Sequence, residues 1–97
     1  MQKNSSYVIQ NLKMACRIVD GEAVILDLTN SKLYSLNPVA TLIWEMSEDR
    51  TRIKDIVDKI VEEFEVERSQ AEADCLQLID DFAGKRLLLI EENPEEN

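Results

Sequence analysis

The side chains able to act as nucleophiles, acids or metal ligands are Cys16 and Cys75, a few serines and twenty carboxylates, and there is no histidine. Zinc sites built from cysteine with histidine are thereby excluded, as is acid–base chemistry on imidazole. The two cysteines form no C-x-x-C pair and read as reduced thiols, each a small buried hydrophobe. A catalytic serine or carboxylate needs a base or partner at a defined spacing, and nothing in the chain orders one. With two glycines in all, no glycine-rich phosphate loop is present. These residues imply no enzyme by itself, no metal site and no cofactor.

The charge balance points to the partner instead. Eleven basic residues stand against twenty acidic ones, a net charge of −9. Duplex DNA is held mainly through lysine and arginine on phosphate, and an anionic membrane surface attracts the same residues. Both are poor partners for this chain, whereas a basic or neutral peptide or protein suits it. The longest apolar runs, Val24-Ile25-Leu26 and Leu87-Leu88-Leu89-Ile90, fall far short of the roughly 20 residues that span a bilayer. The polar start, Met1 to Ser6, lacks the apolar core of a secretory signal, so a cytoplasmic location is expected.

The elements that position such a surface follow from periodicity, which changes from two to 3.6 midway. Leu12, Met14, Cys16 and Ile18 alternate with polar and small residues as a first strand. Asp20-Gly21 is a two-residue hairpin turn. A second strand spans 22–28 with Val24, Leu26 and Leu28 as its apolar face, and after Thr29-Asn30-Ser31 a third spans 32–36. Asn37-Pro38 starts a helix, carrying Val39, Leu42, Ile43 and Met46 with Trp44 beside them as core. Thr51 is expected to cap a second helix with the stripe Ile53, Ile56, Val57, Ile60, Val61 and Phe64. Ser69 and Glu72 have capping-box spacing for a third, which Gly84 ends. Residues 87–90 form a terminal wing. The fold class is α+β: a three-stranded antiparallel sheet followed by three helices, winged helix-turn-helix-like. A flexible segment over 1–11 and an acidic disordered tail over 91–97 flank a domain over 12–90.

Leu33-Tyr34-Ser35-Leu36-Asn37, the Ile43-Trp44-Glu45 of the first helix, the polar break before Ile53, and the closing Gly84-Lys85-Arg86-Leu87-Leu88 resemble, in that order, the PqqD family of peptide chaperones. The hairpin Val19-Asp20-Gly21-Glu22 leading into Val24-Ile25-Leu26-Asp27 fits the same pattern. The chain departs from it in the break Glu48-Asp49-Arg50-Thr51, which has no glycine. The resemblance is therefore to the broad family and names no pathway. It implies binding of the leader segment of a ribosomally made precursor peptide, as a strand added along the third strand and packed on the third helix. It also implies presentation of the peptide to a modifying enzyme, often a radical SAM protein.

The residues are compatible with that role, since an edge strand offers unpaired backbone groups to an extended peptide. Lys32, Leu33, Tyr34 and Ser35 lie on the strand, and Asp80, with Asp81, sits where it could meet a basic leader side chain. Ala71, Cys75, Leu78 and Phe82 are assigned to the core; Leu76 and Ile79 are the candidates for the groove wall and read equally well as core. The protein is expected to be a monomer or weak dimer. A winged-helix DNA-binding regulator is the rival reading, opposed by a third helix over 69–83 with Glu72, Asp74, Asp80 and Asp81 and no basic residue. A non-catalytic scaffold that binds a protein partner is another. An acyl carrier is disfavoured because Ser35-Leu36 falls on a strand.

Overall fold

The computed structural model describes residues 6–92. Strands β1 (Tyr7–Gln10), β2 (Met14–Val19), β3 (Glu22–Asp27) and β4 (Leu33–Ser35) precede helix α1 (Pro38–Met46). A two-residue strand β5 (Thr51–Arg52), helices α2 (Ile53–Phe64) and α3 (Arg68–Gly84), and strand β6 (Leu88–Glu91) follow. The α+β class with three helices stands, but the strands form two antiparallel three-stranded sheets, ordered β5-β1-β6 and β2-β3-β4.

The β2-β3-β4 meander turns at Asp20 and Gly21, whose φ angles of 53° and 81° are the left-handed values a tight hairpin requires. Its apolar face is the reverse of the expected one. Ala23, Ile25 and Asp27 are buried against the helices, while Val24 and Leu26 are half-buried and Leu28 is exposed. Both faces of β3 are apolar, so burial is decided by which one the helices cover, and the side chains follow in alternation. Asp27 can sit inside because its carboxylate accepts from the amide and hydroxyl of Thr29, at 2.8 and 2.6 Å. These bonds hold its carboxyl below the usual range.

Residues 7–10, which fall in the segment read as flexible, are instead a strand. Tyr7 pairs with Arg52 and Glu91, and Val8 pairs with Thr51 and Ile90. Val8 is fully buried, and Arg50 stacks on the Tyr7 ring at 4.3 Å while pairing with Glu91 at 2.8 Å. Glu91 therefore ends β6 rather than starting a loose tail. Residues 1–5 and 93–97 of the two expected end segments lie outside the described residues. Leu12, expected in a strand, is in the β1–β2 turn and 95% exposed.

The helix starts divide. Asn37 Oδ1 accepts from the Ala40 amide at 2.8 Å with Pro38 in the first position, as expected. Thr51 does not cap α2: it lies in β5, and its single hydroxyl hydrogen is shared between the carbonyls of Met46, at the end of α1, and Asp49. Helix α3 begins at Arg68 after Glu67, with no side-chain cap, so Ser69 is already inside it. Gly84 is its last residue, and the left-handed φ falls on Arg86 at 61°. The core joins Ile25, Ile43, Trp44, Ile53, Ile56, Val57, Ile60, Phe82, Leu87 and Leu88. No helix among the described residues is long and apolar enough to cross a membrane.

Candidate functional site

Strand β4 is an edge of its sheet. The Asp27 amide donates to the Lys32 carbonyl and the Leu36 amide to the Ala23 carbonyl, both at 2.9 Å. With Ile25 opposite Tyr34, these bonds fix residues 32, 34 and 36 as the ones whose backbone faces β3. Leu33 and Ser35 alternate with them and direct their N–H and C=O groups away from the sheet. That open ladder is the feature an incoming strand would complete.

The C-terminal half of α3 lies beside this edge and runs antiparallel to it. Leu33, Tyr34, Ser35, Leu36, Leu78, Asp81, Phe82, Lys85 and Leu87 line a trough of about 320 Å³ between the two elements. It opens into a larger one, of about 690 Å³, between the start of α1 and α3, where Asn37, Val39, Asp74, Gln77, Leu78, Asp80 and Asp81 form the walls. Asn37, Leu78 and Asp81 belong to both, so the two make one continuous groove. Lys85 ties its sides together: its ammonium bonds Asp81 at 2.9 Å and stands 5.4 Å from the centre of the Tyr34 ring.

Of the residues anticipated here, Leu33, Tyr34, Ser35 and Asp80 line the groove. Lys32 contributes a backbone carbonyl to the β3 pairing rather than a wall. The helix assignment is corrected. Ile79 is completely buried in the core, and Leu78, expected there, is half-buried and lines both halves of the groove. Leu76 is half-buried against the core and absent from the walls. At 3.6 residues per turn it lies about 160° around the helix from Leu78. The α3 side of the groove sets Leu78 and Phe82 among Asp74, Gln77, Asp80 and Asp81, so its mostly polar row gave hydrophobic patterning little to read.

The other edge, β2, borders a smaller hollow of about 250 Å³ with Cys16, Ile18, Trp44, Glu45 and Glu48 in its walls. No residue of α3 lines it. Among the described residues, no group of three or more acidic, cysteine or histidine side chains could hold a metal ion.

Known proteins of this geometry match the chain. TbiB1 in complex with the TbiA(beta) leader peptide shares 30% identity over 82% of this chain and 93% of its own, with a TM-score of 0.77. A lasso peptide synthetase B1 complexed with the leader peptide shares 26% identity over 84% and 96%, with a TM-score of 0.75. No curated protein matches. The family model of coenzyme PQQ synthesis protein D (PqqD) matches residues 22–88, which run from β3 through the groove elements to the start of β6, and the chain belongs to the PqqD family.

Proposed function

We propose that this protein binds the leader segment of a ribosomally made precursor peptide as a strand added to β4, and presents it to a modifying enzyme without itself catalysing the modification. The observation that carries this reading is the open edge at Leu33 and Ser35 set against the apolar wall of Leu78 and Phe82. Backbone pairing at that edge supplies affinity with little sequence preference. Side chains of the added strand then alternate. Those on the Tyr34 side enter the groove; those opposite Leu33 and Ser35 stay on the outer face, beside Leu26 and Leu33. Both structural neighbours are leader-peptide complexes, which favours the same use of this fold.

The enzyme served is a peptide-modifying enzyme, such as a radical SAM protein or a lasso-peptide maturation enzyme, acting in the cytoplasm. The acidic groove opposes nucleic acid as the ligand. An amide-resolved NMR titration with leader peptides encoded near the gene tests the reading. Shifts concentrated at residues 33–39 and 74–85 are expected. Saturable shifts confined to β2 and the end of α1 would move the site to the other edge, and no shifts would leave a scaffold for a protein partner.

A further inference from the structure

Lys85 is the only basic residue among those lining the groove, whose other ionisable walls include Asp74, Asp80 and Asp81. Its position is held from both sides. The backbone amide of Lys85 donates to the Asp81 carbonyl at 3.1 Å, closing the end of α3. Its side chain crosses toward β4, bonding the Asp81 carboxylate and approaching the Tyr34 ring. The ammonium carries three donors, and the ion pair with Asp81 uses one of them.

A strand added to β4 places its side chains in a fixed relation to this cation. The residue paired opposite Tyr34 stands in a pair whose own backbone bonds point away from β4, the closer of the two antiparallel pairings. Its side chain emerges on the same face as the Tyr34 ring, and so beside Lys85. Anywhere toward Asn37 and Val39, a peptide carboxylate would meet aspartates on α3 and be repelled. We propose that Lys85 is a specificity-determining residue that takes a carboxylate from the bound peptide, so that the groove selects leaders with an aspartate or glutamate opposite Tyr34. This rests on the leader-binding reading and adds to it the charge and the position of one ligand side chain.

The probe is the TbiA(beta) leader peptide, together with versions carrying a single Glu or a single Lys at each position in turn. Affinities are measured for the intact protein and for its Lys85→Glu and Lys85→Gln variants, with circular dichroism confirming the fold of each. At one position Glu is expected to bind the natural protein about three- to tenfold more tightly than Lys, the range of a partly exposed charge-assisted bond. Lys85→Glu is expected to invert that preference and Lys85→Gln to abolish it. Binding by the peptide set with no position whose preference inverts would overturn the role of Lys85 and leave strand addition standing. Failure of every peptide in the set, and of the leader peptides encoded near the gene, to bind the folded natural protein would remove the leader-binding reading, and the role of Lys85 with it.

Discussion

The backbone amide of Ala23 donates to the side-chain hydroxyl of Thr41 at 2.9 Å, and that hydroxyl in turn faces the Leu36 carbonyl at 3.4 Å. Thr41 thus stands in the ladder between β3 and the end of β4, where a direct backbone bond would otherwise close the pair. It is buried, and it joins the β4 edge to α1. Thr41→Val keeps the shape and removes the hydroxyl, leaving a buried amide and carbonyl unsatisfied. A loss of about 1–3 kcal/mol in urea unfolding is expected. Stability equal to the natural protein would show that the relay carries no weight.

The two neighbouring apolar residues of α3 should separate stability from binding. Ile79→Asp buries an unpaired charge in the core, and a loss above about 4 kcal/mol is expected, a large share of the roughly 5–15 kcal/mol that holds a domain folded. Leu78→Asp puts the charge at the groove wall, where water can reach it. It should stay folded and lose peptide affinity. Equal melting losses at both positions would place Leu78 in the core after all.

Three local signals in the sequence read correctly, while the helix caps expected at Thr51 and Ser69 do not form. Asp20-Gly21, Asn37-Pro38 and the Ile53-Ile56-Val57-Ile60 stripe each act within a turn or two of chain, and each forms as its residue types require. The larger failures are non-local. Strand β1 exists because Tyr7 meets Arg52 and Glu91, partners that only tertiary folding brings near. The inward face of β3 was ambiguous because Ala23-Ile25 and Val24-Leu26 are equally apolar, and the burial of Asp27 depends on a turn that answers its charge. On α3, Ile79 and Leu78 differ by one position, and which of them turns inward depends on where α2 and β6 pack. The strand proposed for docking came from the family resemblance, with which its open edge is compatible; the groove wall, mostly polar, was not legible.

Proline at the edge tests the strand-addition geometry directly. Ser35→Pro removes an amide that points away from β3, so the sheet keeps its bonds. Peptide affinity should fall about three- to tenfold, the range of one net backbone bond. Cys16→Pro at the opposite edge, where the β2–β3 register also leaves the amide facing outward, should leave binding unchanged. The reverse pattern would assign the peptide to β2.

The Asp27 carboxyl is held below its ordinary value of 3.8, first by the Thr29 hydroxyl and then by the Thr29 amide, with smaller help from the Asn30 amide and Lys32; burial opposes them. A carboxyl lowered by folding stabilises the native state fully above its unfolded value, and that stability is lost as pH falls through the folded value. Asp27→Asn should therefore be less stable than the natural protein at neutral pH. The gap should narrow as pH drops below about 4, the usual aspartate value. Unfolding curves for both proteins between neutral and acid pH check this, and a gap independent of pH would mean the turn is held by shape rather than by charge.

The two thiols should differ in reactivity by their surroundings alone. Cys16 is exposed on β2, whereas Cys75 is buried between α3 and the rest of the core, and burial, with a smaller contribution from Glu72, pushes its thiol up to about 12. The thiolate is the attacking form, and with a pKa near 12 only about one molecule in ten thousand carries it at pH 8. Burial also excludes the reagent, so Cys75 can react only when α3 opens. A thiol-reactive dye should label one cysteine of the native protein within minutes and the second only on denaturation. The slow native rate of the second then measures the opening of α3, because labelling that waits on a rare open state follows its population. A leader peptide seated between β4 and α3 should slow that step further while leaving Cys16 unaffected. Rapid labelling of both thiols in the folded protein would mean that α3 does not pack on the core as described.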